Sequence, residues 1–198
     1  MTRQALLINC TENKGWNFIM KVTELKNQLN TMEKNELIAL IVKLYKNDKM
    51  CRNILDVEFG GEEVQAALLA NAKKQLHDIF FSKASLSLRN AKAVLSGFKK
   101  TAKNKEDYFD FELYYVELGT AYTNEYGDVN EAFYSNLISV FADFCENVKR
   151  SGGSDFLHSV RMRLDRLNEE AQDIGWGYGY EIGELYSELI GFYGEENE

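Results

Sequence analysis

The sequence contains no proline and only two histidines among its 198 residues. Proline breaks the interior of a helix, so its absence leaves every segment free to form uninterrupted helices. The histidines are His77 and His158, whereas a di-iron helical bundle needs two Glu-x-x-His pairs. We therefore expect neither a metal nor another cofactor.

Cysteine is also scarce. Cys10, Cys51 and Cys145 lie far apart with no Cys-x-x-Cys spacing, which fits neither a disulfide framework nor a zinc ribbon. The apolar patch at residues 5–8 is too short for the hydrophobic region of a signal peptide, and no apolar run is long enough to cross a bilayer. The sequence predicts a cytoplasmic protein with reduced thiols and no membrane partner.

Charge is unevenly distributed along the chain. Residues 1–105 contain 18 Lys or Arg and 10 Asp or Glu, whereas residues 106–198 contain 5 and 21. The basic half could bind nucleic acid, for which Lys34, Lys43 and Lys46 are the candidate contacts. It could equally face the acidic half of the same chain or of a second copy.

Hydrophobic periodicity predicts an all-α fold, because apolar residues recur at intervals of three and four and no segment alternates like a strand. We expect eight or nine helices, arranged as antiparallel hairpins in a layered bundle or a short α-solenoid. Residues 1–19 have no clear period and are predicted to be an extension. Residues 20–198 are predicted to form a single domain, in which residues 20–58 are a candidate small helical subdomain.

A central helix is predicted near residues 105–126 because this segment has two separate stripes. At 100° per residue their centres lie roughly 140° apart. A helix with two such sides is expected to lie between neighbouring helices. The stripes are Tyr108, Phe111, Tyr115, Leu118 and Tyr122, and Phe109, Leu113, Val116, Thr120 and Thr123.

A tight turn at Tyr126-Gly127-Asp128 follows this helix. Gly127 is suited to end a helix in the left-handed conformation, and Asp128 is predicted to cap the returning helix. Because the tyrosines of the two stripes are expected in the core, the predicted binding residues are Asp110 and Glu117 on the acidic edge of the central helix and Tyr126 and Asp128 in the turn.

The same hairpin contains Tyr115-x-x-Leu118-Gly119-x-x-Tyr122, followed by Gly127-Asp128 and Glu131-Ala132. This pattern resembles one unit of the tetratricopeptide repeat, with one extra residue before Gly127 and no second copy. The resemblance implies close helix packing at Gly119 and Ala132. It implies a partner-binding groove if neighbouring helices stack in the same sense.

Seven short motifs are spread over the chain: Thr23-Glu-Leu-Lys26, Glu36-Leu-Ile38, Tyr115-Val-Glu-Leu-Gly119, Thr123-Asn-Glu-Tyr-Gly-Asp128, Phe133-Tyr134, Gly175-Trp-Gly177 and Glu184-Leu-Tyr186. Together they are similar to a bacterial family known only as a domain of unknown function. Membership would imply one cytoplasmic helical domain and carries over no activity.

Aromatic residues alternate with glycines at Trp176, Tyr178 and Tyr180. Their rings could stack on a base or another flat ligand. We favour the alternative of an interhelical turn whose rings fill the core, because these glycines do not follow a strand as a phosphate-binding loop does. The three arginines at 161, 163 and 166 could hold an anion, but nearby acids in the same helix favour surface ion pairs.

No motif places a nucleophile beside a histidine and an acid, so an enzyme is less expected than a binding protein. The favoured hypothesis is a non-enzymatic interaction module that binds a protein partner or a second copy of itself. One alternative is nucleic-acid binding through the basic half. The other is a small-ligand protein or enzyme that uses the stretch near Trp176.

Overall fold

A computed structural model describes residues 20–82 and 86–195, and the predicted extension at residues 1–19 lies outside these ranges. The described residues form eight α-helices and no strand, which confirms the predicted all-α fold. Within them, no helix is both long and apolar enough to cross a membrane. The helices are α1 (Val22–Asn30), α2 (Lys34–Asn47), α3 (Lys49–Phe81), α4 (Leu88–Thr101), α5 (Lys105–Tyr126), α6 (Glu131–Ser151), α7 (Ser154–Ala171) and α8 (Tyr178–Glu195).

The chain divides into two compact units between Leu44 and Tyr45, and this division lies within α2. It falls earlier than the predicted subdomain boundary at residue 58. The first unit contains α1 and most of α2, and neither helix has a buried residue. Its apolar side chains are therefore at most partly covered.

The second unit begins at Tyr45 and contains α3 to α8. Gly61 interrupts the helical geometry of α3 with φ 73° and ψ −167°, and the element is kinked there. A positive φ is strained for residues with a Cβ, which explains glycine at this position. The two parts of α3 are helical segments that meet at this kink.

The central helix is α5, as predicted. It packs against α3, α4, α6 and α7, and both of its stripes contribute buried residues, among them Tyr115, Leu113 and Val116. A helix covered on several sides needs apolar residues around most of its circumference, which explains the two stripes.

Helices α5 and α6 form an antiparallel hairpin. The side chain of Tyr115 hydrogen bonds to Asn136, whereas Thr123, further along α5, contacts the earlier Tyr134. At Gly119 a Cβ would collide with the side chain of Leu137, so the two helices are in close contact there. The close packing expected at Gly119 is present.

Three expectations for this hairpin are wrong. Asp128 does not cap α6: the N-cap is Asn130, whose side chain accepts a hydrogen bond from the backbone N–H of Phe133 at 3.0 Å. Gly127 has a positive φ of 87°, but its ψ of −176° is extended rather than left-handed helical. Ala132 is exposed, so the close packing implied there by the repeat resemblance is absent.

Candidate functional site

The predicted acidic edge of α5 is an ion-pair cluster. Both nitrogens Nε and Nη2 of Arg163 on α7 donate to the carboxylate of Glu117, at 2.8 and 2.7 Å. Arg163 Nη1 also donates to Asp110, and Lys73 on α3 forms an ion pair with the other oxygen of Asp110. Two cations from two neighbouring helices therefore face the two predicted binding carboxylates.

The electrostatics of this cluster favour charged Arg163. Burial lowers the pKa of its guanidinium, but hydrogen bonds and the negative charge of Glu117, followed by those of Asp110, outweigh burial and raise the pKa overall. The cluster is only partly buried. Its geometry joins α5 to α3 and α7, and a partner of Asp110 or Glu117 would have to compete with these cations.

The other two arginines of α7 form pairs within their own helix, as expected. Arg161 pairs with Asp165 at 2.8 Å, and Arg166 pairs with Glu170 at 3.3 Å. Arg163 differs because it points to α5, a partner that spacing along α7 does not indicate.

The aromatic residues near Trp176 do not form one site. Tyr178 is fully buried, whereas Trp176 is 58% and Tyr180 70% exposed. The expectation that these rings fill the core therefore holds for Tyr178 alone. Trp176 has a φ of 59°, an uncommon backbone conformation for a residue with a side chain.

The structure brings the predicted turn and this aromatic stretch together. A Cβ on Gly175 would lie 4.0 Å from a carboxylate oxygen of Asp128, so the α5–α6 turn adjoins the α7–α8 connection. Tyr126 is also exposed, with its ring centroid 4.9 Å from that of Tyr122. We name the exposed residues Tyr126 and Asp128 of the turn and Trp176 of the connection the aromatic end.

Hydroxyl groups of buried tyrosines form hydrogen bonds next to the aromatic end. The hydroxyls of Tyr178 and Thr120 lie 2.5 Å apart. The hydroxyl of Tyr134 donates to Asp128 at 3.0 Å and accepts from the backbone N–H of Val129 at 3.3 Å. Asp128 is thus oriented by the hairpin, although it does not cap a helix.

The three candidate nucleic-acid contacts are exposed on α2. At 100° per residue, Lys34 and Lys43 lie about 180° apart around the helix, whereas Lys43 and Lys46 lie about 60° apart. One nucleic-acid backbone could contact Lys43 and Lys46 on the same side of α2, but it could not also contact Lys34 on that side. Nucleic-acid binding through these residues stays a prediction.

One buried carboxylate, Glu112 on α5, is not among the residues predicted from the sequence. Glu112 is buried and accepts hydrogen bonds from the side-chain amide of Asn147 on α6. A glutamate between the apolar neighbours Phe111 and Leu113 was the available signal, but its partner lies on another helix.

Two observations bear on cofactors and relatives. Within the described residues, no group of three or more His, Cys, Asp or Glu side chains could hold a metal ion. Comparison of the chain with protein-family models, with curated proteins and with solved structures found no match. The resemblances to the tetratricopeptide repeat and to the bacterial family therefore stay predictions.

Proposed function

We propose that the protein is a non-enzymatic interaction module that self-associates through one side of α2. The supporting observation is an apolar stripe formed by Ile38, Ile41 and Val42, which are 49, 47 and 43% exposed. Intervals of three and four place these side chains on one face of the helix. We name this face the α2 stripe.

The distribution of exposed apolar residues supports a binding role for this region. Among the described residues, seven of the fifteen exposed large hydrophobic side chains lie in residues 20–44, which belong to the first unit. The first buried hydrophobic side chain in the described part of the chain is Val57, so residues 20–44 contribute none to the core. Contiguous exposed apolar surface is typical of interaction sites, because leaving it in water is unfavourable.

A second copy of the chain is the partner that we propose. Residues 20–44 contain four Lys and three Glu, so their charge is nearly balanced and does not favour a strongly charged partner. A two-fold interface pairs the same patch with itself, and mixed signs permit opposite charges to meet. Pairing the exposed apolar side chains of two such units would bury on the order of 1,000 Å², about the size at which specific interfaces begin.

Three finer features accompany this proposal. A cytoplasmic location is supported by the free thiols of Cys51 and Cys145. A tetratricopeptide-like character of the α5–α6 hairpin is supported by the contact between Gly119 and Leu137, and is weakened by exposed Ala132. Membership of the bacterial family rests on the sequence motifs alone.

Sedimentation velocity on the full chain tests the proposal. Between about 1 and about 100 µM the wild type should shift from monomer to dimer, a range that corresponds to weak to moderate affinity. Ile41→Asp should remain monomeric over the same range, because a charge buried in an apolar interface is costly. Met162→Asp is the matched control, because Met162 is 85% exposed on α7 and outside the stripe.

Three results would overturn self-association through the α2 stripe. The wild type could remain monomeric at about 100 µM, or Ile41→Asp could dimerise as the wild type does. The third result combines a monomeric wild type with an Ile41→Asp variant whose free energy of unfolding is lower than that of the wild type by more than about 1 kcal/mol. A substitution at an exposed site should change this free energy by less. That result would mean that another segment of the same chain covers the stripe.

A further inference from the structure

A basic pocket lies where three helix ends of the second unit meet. The last turns of α4 and α6 supply Lys99 and Arg150, and the start of α5 supplies Asn104 and Lys105. Tyr108 and Phe109 form part of its wall, and its volume is about 510 Å³. This size is within the range of small-molecule sites.

The charged residues that line this pocket are all cations: Lys99, Lys105 and Arg150. Among the described residues, none of the three forms an ion pair with a carboxylate. The pocket thus gathers three cations that the fold does not neutralise directly.

The helix dipole accounts for two of the three cations. Cations in the last turn of a helix complement the dipole, as Lys99 and Arg150 do. Lys105 is the first residue of α5, where a positive charge opposes the dipole and where Glu106 and Asp107 of the same turn complement it. The dipole therefore does not explain why Lys105 lies with the other two cations.

Buried Glu112 holds the wall of the pocket in place. The nitrogen of the Asn147 amide donates to Glu112, which leaves the amide oxygen to accept from Arg150 Nη2 at 3.1 Å. Lys99 Nζ lies 4.9 Å from the ring centroid of Tyr108. Glu112 and exposed Asp143 are the carboxylates whose charge acts on this wall, and neither lines the pocket.

We propose that this pocket binds a phosphate group carried by a small organic molecule. Arg150 can donate two parallel hydrogen bonds to phosphate oxygens, and the two lysines supply compact positive charges. Asn104 and Ser151 add polar groups, while Tyr108 and Phe109 offer an apolar wall to the organic part. The site is distinct from the α2 stripe and does not depend on self-association.

Isothermal titration calorimetry of the full chain with phenyl phosphate and with inorganic phosphate tests this site. Both probes should give saturable binding with one site per chain, and phenyl phosphate should bind more tightly if the apolar wall contributes. Equal affinities would assign the site to free phosphate, which retains the shared chemistry. Lys105→Gln and Arg150→Gln should each weaken binding by about tenfold or more, because a charge-assisted hydrogen bond is lost.

Lys92→Gln is the matched control, because Lys92 is exposed on α4, carries the same charge and does not line the pocket. It should change the affinity by less than about threefold, as expected for a screened distant charge. The absence of saturable binding heat with both probes up to about 10 mM would overturn the proposal, because a dissociation constant above that concentration corresponds to negligible binding. An equal loss of affinity in Lys92→Gln would also overturn it, because binding would then reflect overall charge. Lys105 and Arg150 are exposed, so circular dichroism of their variants should match the wild type.

Discussion

Glu112 on α5 and Asn147 on α6 are joined by two hydrogen bonds, in which one amide nitrogen donates to the two carboxylate oxygens at 3.3 and 3.0 Å. A buried carboxylate is costly unless it is hydrogen bonded. Burial raises the pKa of Glu112, and hydrogen bonds from Tyr108 and Asn147 counteract part of that change. This pair therefore makes the stability of the hairpin sensitive to pH.

Glu112→Gln is expected to remove a pH-dependent loss of stability. Because the pKa of Glu112 is raised in the folded protein, the folded state holds this proton more tightly than the unfolded state. The stabilising contribution is complete below the unfolded pKa of about 4.3 and is lost as pH rises through the folded pKa. Urea unfolding at a series of pH values above about 4 should show the wild-type free energy of unfolding falling relative to that of Glu112→Gln.

The control for this pH series is Glu146→Gln, which changes an exposed glutamate on α6. It should leave the pH dependence of the free energy of unfolding close to that of the wild type. A difference between wild type and Glu112→Gln that stayed constant over the series would contradict the prediction.

Gly119→Ala is expected to destabilise the protein by about 1 to 3 kcal/mol, because the new methyl group would collide with Leu137 in a packed core. Gly191→Ala on α8 is the control, since a Cβ there meets nothing within 4 Å. It should be neutral or stabilise by up to about 1 kcal/mol, the difference in helix propensity between glycine and alanine. Equal effects of both substitutions in urea unfolding would show that the α5–α6 contact is not close.

Arg163 and Glu117 should be energetically coupled. A double-mutant cycle with Arg163→Leu and Glu117→Gln is expected to give a coupling free energy of about 1 to 2 kcal/mol, because their paired hydrogen bonds are partly shielded from water. The same cycle at Arg166 and Glu170, which are more exposed, should give less than about 0.5 kcal/mol. Coupling at the first pair no larger than at the second would refute a structural role for the cluster.

Tyr178→Phe and Tyr180→Phe should differ in their effect on the free energy of unfolding, because Tyr178 is buried and Tyr180 is exposed. Loss of the Tyr178 hydroxyl removes the contact with the buried Thr120 hydroxyl and should cost about 1 kcal/mol of unfolding free energy. Tyr180→Phe alters an exposed ring and should change stability by less than about 0.5 kcal/mol. A Tyr180→Phe variant as unstable as Tyr178→Phe would contradict the exposed position of Tyr180.

The two stripes of α5 show how far sequence reasoning could reach. Their spacing predicted a helix packed on several sides, and Tyr115 and Val116 from the two stripes are both buried. The N-cap of α6 was harder to predict from the sequence, because Asp128 and Asn130 are both good capping residues. The backbone path through the turn selects Asn130. Asp128 instead meets Tyr134, a contact that depends on the turn geometry.

The candidate sites depended more strongly on the tertiary structure. Asp110 and Glu117 were recognisable as one acidic edge, but their partner Arg163 lies 53 and 46 positions away in the chain. The basic pocket similarly joins Lys99, Lys105 and Arg150 from three helices. Spacing within one helix cannot show which of its charged residues faces a neighbouring helix.

The sequence by itself determined the helical class, the central position of α5 and the turn at Gly127. These features follow from helical periodicity and from the conformational preferences of glycine and proline, which act between residues close in the chain. Only the tertiary structure decided that Glu112 pairs with Asn147, 35 positions away, and that Tyr178 is buried while Tyr180 is exposed. Such contacts depend on the packing of whole helices, whose relative rotation is a property of the assembled core.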